Sequence, residues 1–164
     1  MKNNVLTGIT LLFVLSFLIA CNTKNAEPVA VAIDKEQIKK EIQAKEDGFA
    51  EVFNTRELKS IGYYAEDAIS FSQNRAPLVG KSAIVEYLKS NMDSVPVANK
   101  ISFTTNEVFV SDDGIQVVET GYFLIYDSET NDTINSGNYM SLFEKRDGKY
   151  VCVRDMSVSD LPLE

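Results

Sequence analysis

Two carboxylates stand where a carboxylate is costly to keep. Glu119 falls mid-strand between Val118 and Thr120, and Asp155 follows Val151 and Val153 near the end of the chain. In a sheet covered on both faces such acids are desolvated, so the pKa rises unless an opposite charge pairs with the group. Two outcomes fit: a structural ion pair with an arginine such as Arg154 or Arg75, or an acid poised for proton transfer. The chain contains no histidine. That removes Ser-His-Asp and Cys-His arrangements, the usual imidazole base and most catalytic zinc sites. Cys152, in an apolar strand, reads as a small buried hydrophobe. No phosphate loop, nucleotide fingerprint or metal-ligand cluster is present, so no cofactor is implied. Asp112, Asp113, Asp127, Glu129 and Asp132 lack the spacing of a calcium loop and read as solvated turns.

The elements that must position these acids follow from periodicity. Ile38, Ile42, Lys45, Phe49, Val52 and Phe53 recur at helical spacing over 34–54, with Asp34 as cap and Glu36–Lys40 and Glu41–Lys45 as pairs on the wet face. A second, shorter helix is expected over 55–64, capped by Thr55 and burying Leu58, Ile61 and Tyr64. Residues 64–68 read as a turn, 68–73 as a strand and 74–77 as a loop. A third helix, capped by Ser82, carries Ile84, Val85, Tyr87 and Leu88. From Lys100 the period becomes two. Hairpin signals at Asp112-Asp113-Gly114 and Arg146-Asp147-Gly148 divide strands over 100–111, 115–127, 133–145 and 149–158. Alternation puts Val151, Val153, Asp155 and Ser157 on one face of the last strand, and Tyr150, Cys152, Arg154 and Met156 on the other. The order α-α-β-α-β-β-β-β is an α+β plan with an antiparallel meander.

The beginning of the chain has a separate logic. Lys2 precedes an apolar run from Val5 to Ala20, shorter than the ~20 residues of a spanning helix. The run stops at Leu18-Ile19-Ala20-Cys21, which resembles the lipobox of bacterial lipoproteins. The resemblance implies a signal peptide over 1–20, a lipidated Cys21, and a membrane anchor whose acyl chains each contribute about 0.8 kcal/mol per buried methylene. Residues 21–33, polar and interrupted by Pro28, form a flexible tether. Asn22 after the cysteine points to an outer membrane facing the periplasm. A single domain over 34–164 remains. The formal charge of −8, or −9 once Lys2 is removed, argues against nucleic acid and against anionic headgroups as partners.

Within the domain, Tyr64-Ala65-Glu66-Asp67-Ala68 followed by Gly80-Lys81-Ser82-Ala83-Ile84 resembles a passage of the NTF2-like superfamily, in its SnoaL-like, DUF4440-type branch. So do Gly121-Tyr122, Gly137-Asn138-Tyr139 and the ending Phe143 to Val151. Phe143 and Tyr150 stand where that family often has tryptophan. The resemblance implies a cone in which a curved sheet wraps the first helices around a pocket, and dimers formed through the convex face. It places Ser72 where isomerase-like members carry their basic carboxylate, and serine cannot do that work. It makes Asp155 the better base, because cyclases of this kind use an acid on a late strand, with Glu119 second and a tyrosine as oxyanion donor. Asp67 would brace a loop. Tyr64, Phe71, Ser72, Tyr87, Phe123 and Tyr139 would line the pocket. Two functions stay open: binding of a small apolar or amphipathic molecule, and cofactor-free isomerase, cyclase or dehydratase chemistry.

Overall fold

The computed structural model describes residues 33–57 and 62–162. The expected signal peptide, Cys21 and nearly all of the tether lie outside the described residues. Helix α1 spans Lys35–Thr55, with the Asp34 side chain accepting from Gln37 N at its start. It ends at Arg56, whose left-handed backbone (φ 62°) turns the chain out of the helix. Strands β1 (Tyr64–Ser72) and β2 (Leu78–Val79), helix α2 (Lys81–Ser94), and strands β3 (Asn99–Val110), β4 (Gln116–Asp127), β5 (Thr133–Arg146) and β6 (Lys149–Ser159) follow.

Three expectations need correction here. Thr55 closes α1 instead of capping a second helix, its hydroxyl donating to Glu51 O, and Tyr64 opens a strand; the stretch 58–61 lies outside the described residues. Residues 64–68 are strand, not turn, because β1 continues past an irregularity in its pairing with β6. Gly80 stands at the cap position before helix α2, with no side-chain cap, so Ser82 does not cap it. There φ is 87°, a value glycine adopts without strain.

The six strands form one sheet in the order β2-β1-β6-β5-β4-β3. The meander β3–β6 is antiparallel, as its hairpin signals require. The pairing of β1 with β6 is parallel, so the sheet is mixed rather than wholly antiparallel. Bulges at Thr105/Glu107 in β3 and Leu142/Phe143 opposite β6 bend it. Around the concave side packs a core of Ile42, Tyr63, Tyr64, Ala68, Ile84, Val117, Phe143, Tyr150 and Cys152. Each large apolar member contributes roughly 1.5–3 kcal/mol by leaving water. Cys152 is fully buried, as its apolar setting implies.

Helix α1 also closes an edge. Strand β3 is the last in the sheet, and its open backbone groups meet side chains from α1. Gln43 Nε2 donates to Phe103 O, and Gln43 Oε1 accepts from Thr105 N. Asn54 makes the same double contact with Ile101. These amides stand in for a neighbouring strand and satisfy groups that would otherwise invite pairing with another chain.

Candidate functional site

Register aligns the acids. Ser70, Asp155, Ser141 and Glu119 are direct neighbours across β1, β6, β5 and β4, forming a polar row in the concave face. Asp155 reaches that row through a bulge. Cys152 pairs with Phe143 and Arg154 with Leu142, which leaves Val153 as an extra residue. The bulge resets the alternation, so Tyr150 and Cys152 share the inner side with Asp155. The strict alternation expected for this strand is therefore wrong before Val153. Arg154 turns outward and donates to Asp67 O and Val153 O.

One residue was missed by the sequence reading. Glu46 is 1% exposed in the row Ile42, Glu46, Ala50 of α1. Its position four residues from each buried neighbour was the available signal. Glu46 accepts from Tyr63 Oη at 2.5 Å, and its carboxyl lies close enough to that of Glu119 to be repelled by it. Glu119, 0% exposed, accepts from Thr105 Oγ1 at 2.5 Å and Tyr139 Oη at 2.8 Å. Asp155 accepts from Tyr64 Oη at 2.7 Å. Each acid thus has a tyrosine, and none has an arginine. Glu119 Oε2 and Asp155 Oδ1 are buried without a donor from any described group.

Burial dominates the electrostatics. Desolvation lifts Glu46 well above the ordinary carboxylate range, and repulsion from Glu119 adds to it. Desolvation also raises Glu119 and Asp155, against the opposing pull of their hydroxyl donors. Tyr63, Tyr64 and Tyr139 are pushed upward by the same cause and by the adjacent acids. All three phenols therefore stay protonated and available as donors.

These groups form the floor of a cavity of about 490 Å³. Glu46, Tyr63, Tyr64, Ser141 and Tyr139 lie deepest; Phe49, Phe103, Phe123 and Ile84 make apolar walls; Gln73, Asn91 and Ser157 stand toward solvent. The walls pack edge to face, with Phe103 and Tyr139 at 5.5 Å and Tyr63 and Tyr64 at 4.8 Å between ring centroids. Among the described residues, no Lys or Arg lines the cavity.

Of the residues expected at the site, Asp155, Tyr64, Ser72, Tyr87, Phe123 and Tyr139 do line the cavity, and Glu119 sits just behind it under Tyr139. Phe71 does not: it is 42% exposed on the opposite face, because alternation along β1 turns it away from its neighbours Ser70 and Ser72. The ion pairs weighed for Glu119 and Asp155 with Arg75 or Arg154 are absent. Arg75 stacks on the Tyr87 ring, 3.6 Å from its centroid. Asp67 does brace the fold, through two hydrogen bonds from Arg146 on β5.

No protein-family model and no curated protein matches the sequence. Solved structures do match in shape. A Nostoc punctiforme domain of unknown function with a cystatin-like fold aligns at TM-score 0.65 and 14% identity, over 79% of each chain. An NTF2-like protein of unknown function from Shewanella oneidensis aligns at TM-score 0.60 and 22% identity, over 73% of this chain and 98% of that one. A ketosteroid isomerase-like protein from Erwinia carotovora aligns at TM-score 0.57 and 17% identity, over 75% and 96% respectively. At such identities the likeness fixes architecture and leaves activity to the site. With a helix-backed mixed sheet closing on an apolar hollow, the described residues between 33 and 162 have the NTF2-like fold.

Proposed function

We propose that this domain binds a small amphipathic molecule in its cone, held at the cell envelope by lipid on Cys21 and the tether that follows. The observation that carries the proposal is the cavity itself: aromatic walls around a floor where Asp155 Oδ1 is buried and unpartnered. Ligand sites have this composition, mostly apolar surface with a few convergent polar groups. A protein needing only stability would fill the hollow with side chains, because an unmatched buried acceptor costs about 1–3 kcal/mol. Native mass spectrometry of protein purified from its own host tests the reading. A co-purifying small molecule, lost when Phe123→Trp narrows the cavity, is expected; an empty cavity in the native host would refute it.

A second reading is cofactor-free proton transfer with Asp155 as base. The observation in its favour is that Asp155 lines the cavity with one oxygen held by Tyr64 and the other without a hydrogen-bond partner among the described residues. Against it, an oxyanion needs a donor to stabilise it, and the three floor tyrosines already donate to carboxylates. Turnover that survives Asp155→Asn combined with Glu119→Gln would end this reading.

A further inference from the structure

The floor of the cavity has an imbalance of hydrogen-bonding partners, and the imbalance selects a ligand. Tyr63, Tyr64 and Tyr139 direct their hydroxyl protons to Glu46, Asp155 and Glu119, and Thr105 directs its own to Glu119. A phenol has one proton to give, so these donors are committed. Beside the Ser70 and Ser141 hydroxyls, what remains are carboxyl lone pairs, and Asp155 Oδ1 at the floor and Glu119 Oε2 just behind it have no hydrogen-bond partner among the described residues. The side chain of Glu119, which carries one of these, is fully buried.

Charge points the same way. Glu46 and Asp155 line one end of the hollow with Glu119 just behind it, and among the described residues none of the lining is basic. The arginines within reach of that end of the sheet are engaged elsewhere: Arg154 on backbone carbonyls, Arg146 on Asp67 and Glu144, Arg75 on the Tyr87 ring. A carboxylate ligand would be repelled by any floor acid that is ionised, and a carbonyl would gain only where an acid keeps its proton. An ammonium supplies three N–H donors and the missing positive charge. The surrounding Phe49, Phe103, Tyr64 and Tyr139 rings provide faces that attract a cation and walls that take an apolar body.

We infer that the ligand of this cavity is a small protonated amine with an apolar body, its ammonium seated beside Asp155 and Glu46, with Glu119 adding negative charge from behind the wall. This inference rests on the reading that the cavity binds a ligand at all. Seating the cation lowers the proton affinity of the floor acids, so binding releases protons to solvent.

Calorimetry with a size-matched set separates the possibilities: 2-phenylethylamine as cation, 2-phenylethanol as hydroxyl and acetophenone as carbonyl. The amine is expected to bind at least about tenfold more tightly than either neutral probe, with its affinity rising from about pH 5 to about pH 8. Proton release should appear as a dependence of the binding heat on buffer ionisation enthalpy. In Asp155→Asn, and separately in the near-isosteric Glu46→Gln, the preference for the amine should shrink to within roughly threefold, with unchanged circular dichroism. Neutral probes that bind as well as the amine, or better, would overturn the charge assignment and leave the pocket reading standing. No binding by any probe, with nothing co-purifying from the host, would overturn both.

Discussion

At the scale of single residues, the acids at the cavity floor are the unusual feature. Their pKa values are raised by burial, so the native state holds protons that the unfolded chain releases at lower pH. Linkage then fixes the sign. Their contribution is most favourable below the ordinary carboxylate range and is lost as pH rises through the elevated native values. Exposed Asp67 works the other way: the hydrogen bonds from Arg146 lower its pKa, so its small contribution is lost on acidification. The melting temperature should therefore rise by several degrees as pH falls from about 8 to about 5. Glu46→Gln, which mimics the protonated acid, should flatten that slope. A melting temperature that is level or falling over this range would contradict the assignment. Glu119 and Asp155 were recognisable in the sequence because an acid among strand apolars breaks a pattern. Glu46 was hidden among the many acids of an amphipathic helix, where one more Glu looks like surface. Which partner each acid takes was not legible, because it depends on which tyrosine the folded sheet brings across from another strand.

At the scale of elements, the site depends on two places where the sheet departs from regularity. The bulge at Val153 brings Asp155 to the inner face together with Cys152. Gly121 lets the Tyr139 ring lie flat across β4 to reach Glu119: a Cβ there would stand 2.2 Å from the ring. Gly121→Ala must push that ring aside and break the Tyr139–Glu119 bond. It should destabilise the domain by about 1–3 kcal/mol in urea titration and weaken binding of whatever fills the cavity. Stability and binding both unaltered would show that the ring does not need this space. Strand positions were readable from alternation, hairpins from Asp-Gly pairs, and α1 from its spacing. The bulges were not, because nothing in an alternating stretch announces an extra residue. The parallel β1–β6 pairing was equally hidden, since it joins segments far apart in the chain.

At the scale of the whole molecule, the outer face of the sheet carries an apolar row. Phe71, Met156 and Met140 are direct neighbours across β1, β6 and β5, exposed by 42%, 49% and 45%. Val158 and Tyr122 extend it. Contiguous exposed apolar surface of this kind marks an interface, and the proposed occupant is a second copy of this chain related by a twofold axis. Sedimentation velocity should find a concentration-dependent dimer, and Met140→Glu, which sets like charges facing across the axis, should shift it to monomer. A wild-type domain that sediments as a monomer at all concentrations would exclude the twofold contact.

The floor of the cavity joins the first helix to the last strand: Glu46 answers to Glu119, and Tyr64 at the start of β1 to Asp155 near the end of β6. The hollow is complete only when β6, the last strand, is docked beside β1, the first. A molecule captured there fastens both extremities at once, and it protects the whole domain against unfolding in proportion to its concentration.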